Sequence, residues 1–210
     1  MIRVVFSFLL VITSLVAPLA AQAPDGWRAR VDLSQSAADP DDISEVKLVT
    51  MGKGFRVTGG PAGTFWHPAN AVAGNYTARA TFTLMKPSNH TNYYGLIFGG
   101  ADLETPSQRY AYFLVAQNGT FIIRSRRGDN VQDVQARLAH DAIRRPGADG
   151  RSINTLEVRV NGATASYLVN GTVVHTAPKT TVNAGTDGIV GVRVNHLLDV
   201  HVEGFETQRP

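Results

Sequence analysis

The dipeptide Asn-Gly occurs three times, at Asn118-Gly119, Asn161-Gly162 and Asn170-Gly171, each time between runs rich in aromatic and β-branched residues. Asn-Gly suits a two-residue hairpin turn because both residues tolerate positive φ, so each occurrence predicts two antiparallel strands and a register. At Asn118-Gly119 a two-residue loop pairs Gln117 with Thr120, Val115 with Ile122, Phe113 with Arg124 and Ala111 with Arg126. Opposed residues share a face. Tyr110, Tyr112, Leu114 and Ala116 then share one face with Phe121 and Ile123, and this more apolar set is expected against the core. The open face is expected to carry Phe113, Arg124, Arg126 and Gln117, an aromatic ring beside cationic and amide groups suited to a polar, ring-shaped ligand.

The other two dipeptides predict a three-stranded meander over residues 153–176. It pairs Val158 with Ala165, Leu156 with Tyr167, and Tyr167 with Val174, giving an apolar face of Leu156, Val158, Val160, Tyr167, Val169 and Val174. Glu157, Ser166 and His175 fall in a row on the opposite face. A catalytic triad needs histidine between serine and carboxylate, whereas serine is central here, so the row reads as a solvated strand face.

Short alternating runs recur elsewhere. Residues 46–51 and 55–58 flank Gly52-Lys53-Gly54, and residues 76–85 alternate throughout. Only residues 136–143 are compatible with a short helix. With 20 glycines and 10 prolines punctuating the chain, the pattern predicts an all-β antiparallel two-sheet sandwich over residues 24–210 as a single domain. A last hairpin is expected between residues 188–194 and 198–205, closed by Asn195-His196-Leu197. Asp199, His201 and Glu203 then alternate along one strand, and their two carboxyls lie roughly 13 Å apart, too far for a glycosidase acid pair.

The N-terminus limits where such a domain works. A basic lead, Met1-Ile2-Arg3, precedes an apolar run over residues 4–16 and the small-residue exit Ala21-Gln22-Ala23, the layout of a cleaved secretory leader over residues 1–23. Export to the periplasm or beyond is expected, without membrane insertion after the leader is removed. The absence of cysteine excludes disulfides, thiolate metal sites, a cysteine nucleophile and a lipid-anchored N-terminus. Losing Arg3 with the leader leaves 19 basic side chains against 17 acidic, a shallow imbalance. The arginines over residues 124–145 are interrupted by Asp129, Asp133 and Asp141, so no nucleic-acid stripe forms.

Taken in succession, the segments Tyr94-Gly95-Leu96-Ile97-Phe98-Gly99-Gly100, Tyr110-Ala111-Tyr112-Phe113-Leu114-Val115, Asn118-Gly119-Thr120-Phe121, Asn154-Thr155-Leu156-Glu157-Val158, Val169-Asn170-Gly171 and Gly188-Ile189-Val190-Gly191 resemble the concanavalin A-like lectin/glucanase superfamily. Within it they look most like exported bacterial 3-keto-disaccharide hydrolase-like domains, over residues 27–205. The resemblance implies a jelly-roll with one concave sheet and carbohydrate as the usual ligand class. It carries over no catalytic residue: Asp199, His201 and Glu203 depart from the E-x-D-x-x-E pattern of laminarinase-type glycosidases.

A non-catalytic module binding a saccharide or cell-envelope polymer is therefore the expected function. A glycoside or 3-keto-glycoside hydrolase and a structural envelope domain are the alternatives. Trp66, His90 and Tyr93, in loops or at strand ends, join Phe113, Arg124, Arg126 and Gln117 as ligand-binding candidates. No cofactor or metal is required: Asp39, Asp41 and Asp42 could hold calcium, but an Asp-Pro turn accounts for them. Arg127-Gly128-Asp129 is expected at a hairpin tip.

Overall fold

A computed structural model describes residues 23–32 and 46–209. The expected leader, apart from Ala23, and the aspartates at 39, 41 and 42 lie outside the described residues. Fourteen strands are present among those described: β1 (Arg28–Asp32), β2 (Lys47–Met51), β3 (Gly54–Thr58), β4 (Ala62–Val72), β5 (Tyr76–Lys86), β6 (Tyr93–Ala101), β7 (Arg109–Ala116), β8 (Thr120–Arg127), β9 (Asn130–Ala139), β10 (Ser152–Asn161), β11 (Thr164–Val169), β12 (Thr172–Pro178), β13 (Gly188–Val194) and β14 (Asp199–Gln208). They form two seven-stranded antiparallel sheets, β1-β4-β13-β6-β7-β8-β9 and β12-β11-β10-β5-β14-β3-β2. The all-β sandwich expected from the turn spacing is thus what the chain builds. Residues 136–143 hold no helix: β9 runs to Ala139, and a tight turn closed by Ile143 N–H donating to His140 O (3.1 Å) follows.

The core lies between the sheets, where Phe82, Tyr94, Phe113, Phe121, Leu156 and Tyr167 are among the fully buried side chains. Burying each such side chain stabilises by roughly 1.5 to 3 kcal/mol. The Tyr167 hydroxyl is buried with no hydrogen-bond partner among the described residues. An unsatisfied buried hydroxyl is a cost, so Tyr167→Phe should be neutral or stabilising by about 1 kcal/mol in urea unfolding. A loss of that size instead would mean that the hydroxyl is bonded.

The three Asn-Gly turns behave differently. At Asn170-Gly171 both residues have positive φ (51° and 83°), and Val169 faces Thr172 as expected. A bulge between Tyr167 and Leu168 then pairs Tyr167 with His175 instead of Val174. At Asn161-Gly162 the turn is Gly162-Ala163, so Val158 pairs with Tyr167 and Leu156 with Val169. This offset is two residues, an even number, so the predicted apolar face survives. The row of Glu157, Ser166 and His175 does not: Ser166 faces Arg159 and Thr176, and Glu157 pairs with Arg159.

The register at Asn118-Gly119 is shifted by one, which turns β7 over while β8 keeps the faces expected of it, with Phe121 and Ile123 in the core and Arg124 and Arg126 outward. The loop has three residues, Gln117-Asn118-Gly119, and only Gly119 takes positive φ (81°). Asn118 uses its side chain instead, its Oδ1 accepting from Thr120 N–H (3.2 Å) and the Thr120 hydroxyl (2.7 Å). Phe113 therefore pairs with Ile123, Tyr112 with Arg124 and Tyr110 with Arg126. Phe113 is in the core, not on the open face, and Tyr110 and Tyr112 are the aromatic residues beside the arginines.

The expected hairpin of β13 and β14 is not formed, because β13 lies between β4 and β6 whereas β14 lies between β5 and β3. The chain crosses between sheets at 195–198, tethered by Asn195 N–H to Tyr93 O (2.9 Å) and Leu197 N–H to Gly60 O (3.0 Å). On β14, Asp199 is held by Arg56 and His201 bonds Met51 O at 3.1 Å. Among the described residues no group of three His, Cys, Asp or Glu is disposed to hold a metal. Gly128-Asp129 forms a two-residue hairpin tip between Arg127 and Asn130, as expected.

Candidate functional site

The outward face of the first sheet is built by alternate residues of its strands. The cross-strand line Trp66, Gly191, Ile97, Tyr112, Arg124, Asp133 crosses it from β4 to β9. Trp66, Tyr93, Ile97, Tyr110, Tyr112 and Leu114 make a second apolar cluster here, separate from the core between the sheets. A sheet face that packs its own aromatic cluster is not a plain solvated face.

Its curvature follows from one contact. Asp32 on β1 and Arg126 on β8 are separated by four strands, roughly 24 Å on a flat sheet, yet their side chains approach to 3.3 Å. The face must curl inward, making it the concave one.

Three guanidiniums converge on Asp32: Arg193 Nη1 at 2.7 Å, Arg126 Nη1 at 3.3 Å and Arg30 Nε at 3.6 Å. Arg193 Nη1 also donates to the hydroxyls of Tyr110 (3.0 Å) and Thr64 (3.1 Å), and its guanidinium lies 5.8 Å from the Tyr112 ring centre. Burial opposes the charge on Arg193, but Tyr110 and Asp32 outweigh it, so its pKa lies above the ordinary arginine value. Burial likewise pushes the Tyr112 phenol up, opposed by Arg193 and Arg124, so it stays a neutral donor. Arg124 pairs separately with Asp133 at 2.6 Å. Arg126 also lies 3.8 Å from the fully exposed carboxylate of Asp129, so two carboxylates face three guanidiniums and the centre stays cationic among the described residues. Forked donors beside phenol rings can hold a carboxylate and stack on sugar C–H faces.

Of the residues expected to bind ligand, Arg124, Arg126, Trp66 and Tyr93 share this face. Trp66 is only 2% exposed, so it supports the face from below. Tyr93 bonds Thr120 Oγ1 at 3.0 Å and lies under Arg137. Gln117 and His90 meet at the sandwich end instead, where Gln117 Nε2 donates to Ser88 O (2.8 Å) and His90 O (3.2 Å), and the His90 ring lies 5.6 Å from that of His196. Phe113 is wholly buried on the other side. Asp32 and Arg193 escaped the sequence reading, which set Tyr110 and Tyr112 against the core. The lone arginine in Gly188–Val194, on the face opposite Val190, Val192 and Val194, was a signal for Arg193.

No family model matches the sequence, and no curated protein matches it. Among solved structures the chain is similar to the carbohydrate-binding module CBM66 from Bacillus subtilis, at 11% identity and a TM-score of 0.63 over 88% of this chain and 96% of that one. A Bacillus subtilis protein of unknown function with a galectin-like fold gives 15% identity and a TM-score of 0.58 over 87% and 88%. A Bacteroides ovatus family 16 glycoside hydrolase, in complex with a G4G4G3G product, gives 9% identity and a TM-score of 0.57 over 87% and 94%. At these identities the likeness establishes the fold, the concanavalin A-like jelly-roll that the strand and turn pattern resembles.

Proposed function

We propose that this chain is an exported, non-catalytic module that binds a saccharide or cell-envelope polymer on the concave face of its first sheet. An acidic or oxidised sugar is the preferred ligand. The convergence of three arginines on Asp32, beside Tyr110 and Tyr112, carries this reading. A sugar carboxylate supplies the negative charge that the cluster lacks, and the phenols offer hydroxyl and ring contacts. The saccharide ligand class is also in keeping with the carbohydrate-binding module and the glycoside hydrolase among the similar structures. Export rests on the leader at residues 1–23.

Calorimetric titration with oligogalacturonate and with a neutral glucan of equal length tests this reading. Oligogalacturonate should bind more tightly, and Arg124→Ala and Arg126→Ala should each weaken it by about tenfold, the size of one charge-assisted hydrogen bond. Arg124 is 38% exposed, so its variant should keep the wild-type melting temperature. Full affinity in both variants would remove the face from consideration. Sugar released during the titration would favour the glycoside or 3-keto-glycoside hydrolase, and no binding at all the structural envelope domain.

A further inference from the structure

A second cavity opens at the edge of the sandwich, away from the arginine cluster. It has a volume of about 490 Å³ and is lined by Trp27, Phe55 and Phe205 on its apolar side, with Lys53, His67 and Asn70 among its polar groups. That size and mixture match small-molecule sites, which pair an apolar wall with a few convergent polar groups. None of the residues assigned to the concave site lines it.

Two strands, one from each sheet, depart from regular pairing at this cavity. In β14 an extra residue intrudes between Glu203 and Glu206, with Gly204 at φ 58°. This bulge sets Phe205 against Trp27, ring centres 5.4 Å apart and edge-on. In β4 the pairing with β13 jumps: β13 advances two residues, from Ile189 to Gly191, while β4 advances five, from Ala71 to Trp66. The surplus segment His67-Pro68-Ala69-Asn70 swells outward and contributes His67 and Asn70 to the lining. Bulges cost ladder hydrogen bonds and are common where they re-aim side chains beside functional sites. Two of them meet at this one cavity.

The aromatic wall is pre-organised. Trp27 packs at 4.4 Å against Phe55 as well as on Phe205, so its indole is fixed on two sides while remaining partly exposed. The turn that carries it closes through Trp27 N–H to Pro24 O (3.2 Å) and rests on the His67 ring. Gly26, at φ 68°, is required there, because a Cβ would fall 2.2 Å from His67 Nε2. His67 is in turn fixed by Ala69 N–H donating to its Nδ1 (3.0 Å). His67 is therefore a positioning residue for Trp27, while Lys53, on the β2–β3 turn, and Asn70 are available to a ligand.

The geometry points to a second saccharide site, which seats one sugar ring on the Trp27 indole with its hydroxyls bonded by Asn70 and Lys53. A rigid aromatic platform stacks sugar C–H groups with little ordering cost, and an ammonium and an amide supply donors and an acceptor for hydroxyls. With the concave face, the chain would grip a polymer at two points.

The chain has two tryptophans, so Trp66→Phe makes Trp27 the sole indole reporter. Its emission should respond saturably to at least one of a neutral β-glucan tetrasaccharide, a fructan tetrasaccharide and trigalacturonate, each raised to about 10 mM, beyond a typical weak Kd. Adding Lys53→Ala and Asn70→Ala together should weaken that response about tenfold or more and leave the melting temperature unchanged. Adding Arg126→Ala instead should leave it intact. Silence of Trp27 toward all three sugars, or a response indifferent to the Lys53 and Asn70 changes, overturns the edge site. A response abolished by Arg126→Ala also overturns it, but leaves the concave site standing.

Discussion

Asp32→Asn should destabilise the protein by about 3 kcal/mol, although it changes no more than one oxygen to an amide. Removing one partner of a buried ion pair costs about 3 to 5 kcal/mol, because the other charge is left uncompensated in a poorly solvated place. Arg193 is 11% exposed and Asp32 17%, which puts the loss at the lower end. Arg126 and Arg30 then repel Arg193 as well as each other. For a domain of this size the melting temperature should fall by roughly 6 to 12 °C. Two further measurements separate charge from shape. Asp32→Asn combined with Arg193→Met should recover at least half of the loss, since a fully apolar replacement buries no unpaired ion. Sulfate should raise the melting temperature of Asp32→Asn more than that of the wild type, because the three guanidiniums would then form an open anion site. A loss under about 1 kcal/mol would mean that solvent, not Asp32, balances Arg193, and the cationic centre proposed to hold an acidic sugar would lose its basis.

Sequence legibility followed the number of wet faces. Strand β5 alternates because one side meets the core and the other solvent, and its extent could be read directly. In the meander the faces survived an error of two residues, since side-chain direction repeats every second residue. Strand β7 offered no such check: Tyr110 to Ala116 are buried on both sides, so alternation could not choose between registers. The turn was then the only anchor, and Asn118 closed it with its side chain rather than by adopting positive φ. The crossing from β13 to β14 was hidden because both strands alternate like hairpin partners, whereas their neighbours are fixed by tethers to Tyr93 and Gly60, about a hundred residues or more away in the chain. The arginine centre depends on a pairing between Asp32 and Arg193 that no local pattern encodes. The edge cavity did leave two marks, a proline inside β4 and a glycine inside β14, the usual signs of bulged strands.

Phe113→Ala should be the most damaging single truncation, at about 3 to 5 kcal/mol. The ring is fully buried on β7, beside the central strand β6 of the first sheet, edge-on to Phe121 at 6.1 Å on the same sheet and to Tyr167 at 5.4 Å on the opposite one. Removing it opens a cavity where the sheets meet, and the rigid strands around it cannot collapse to fill it. The melting temperature should drop by roughly 6 to 20 °C. Phe113→Leu keeps most of the volume and should cost about 1.5 kcal/mol or less, which leaves a folded protein if the alanine variant does not fold. The same pair of variants decides the register of β7. With a two-residue loop at Asn118-Gly119, Phe113 would face outward beside Arg124, its truncation would cost less than about 1 kcal/mol, and saccharide affinity would fall instead. With the three-residue loop, stability falls and the affinity of Phe113→Leu stays at the wild-type level, because Tyr110 and Tyr112 keep their places beside the arginines.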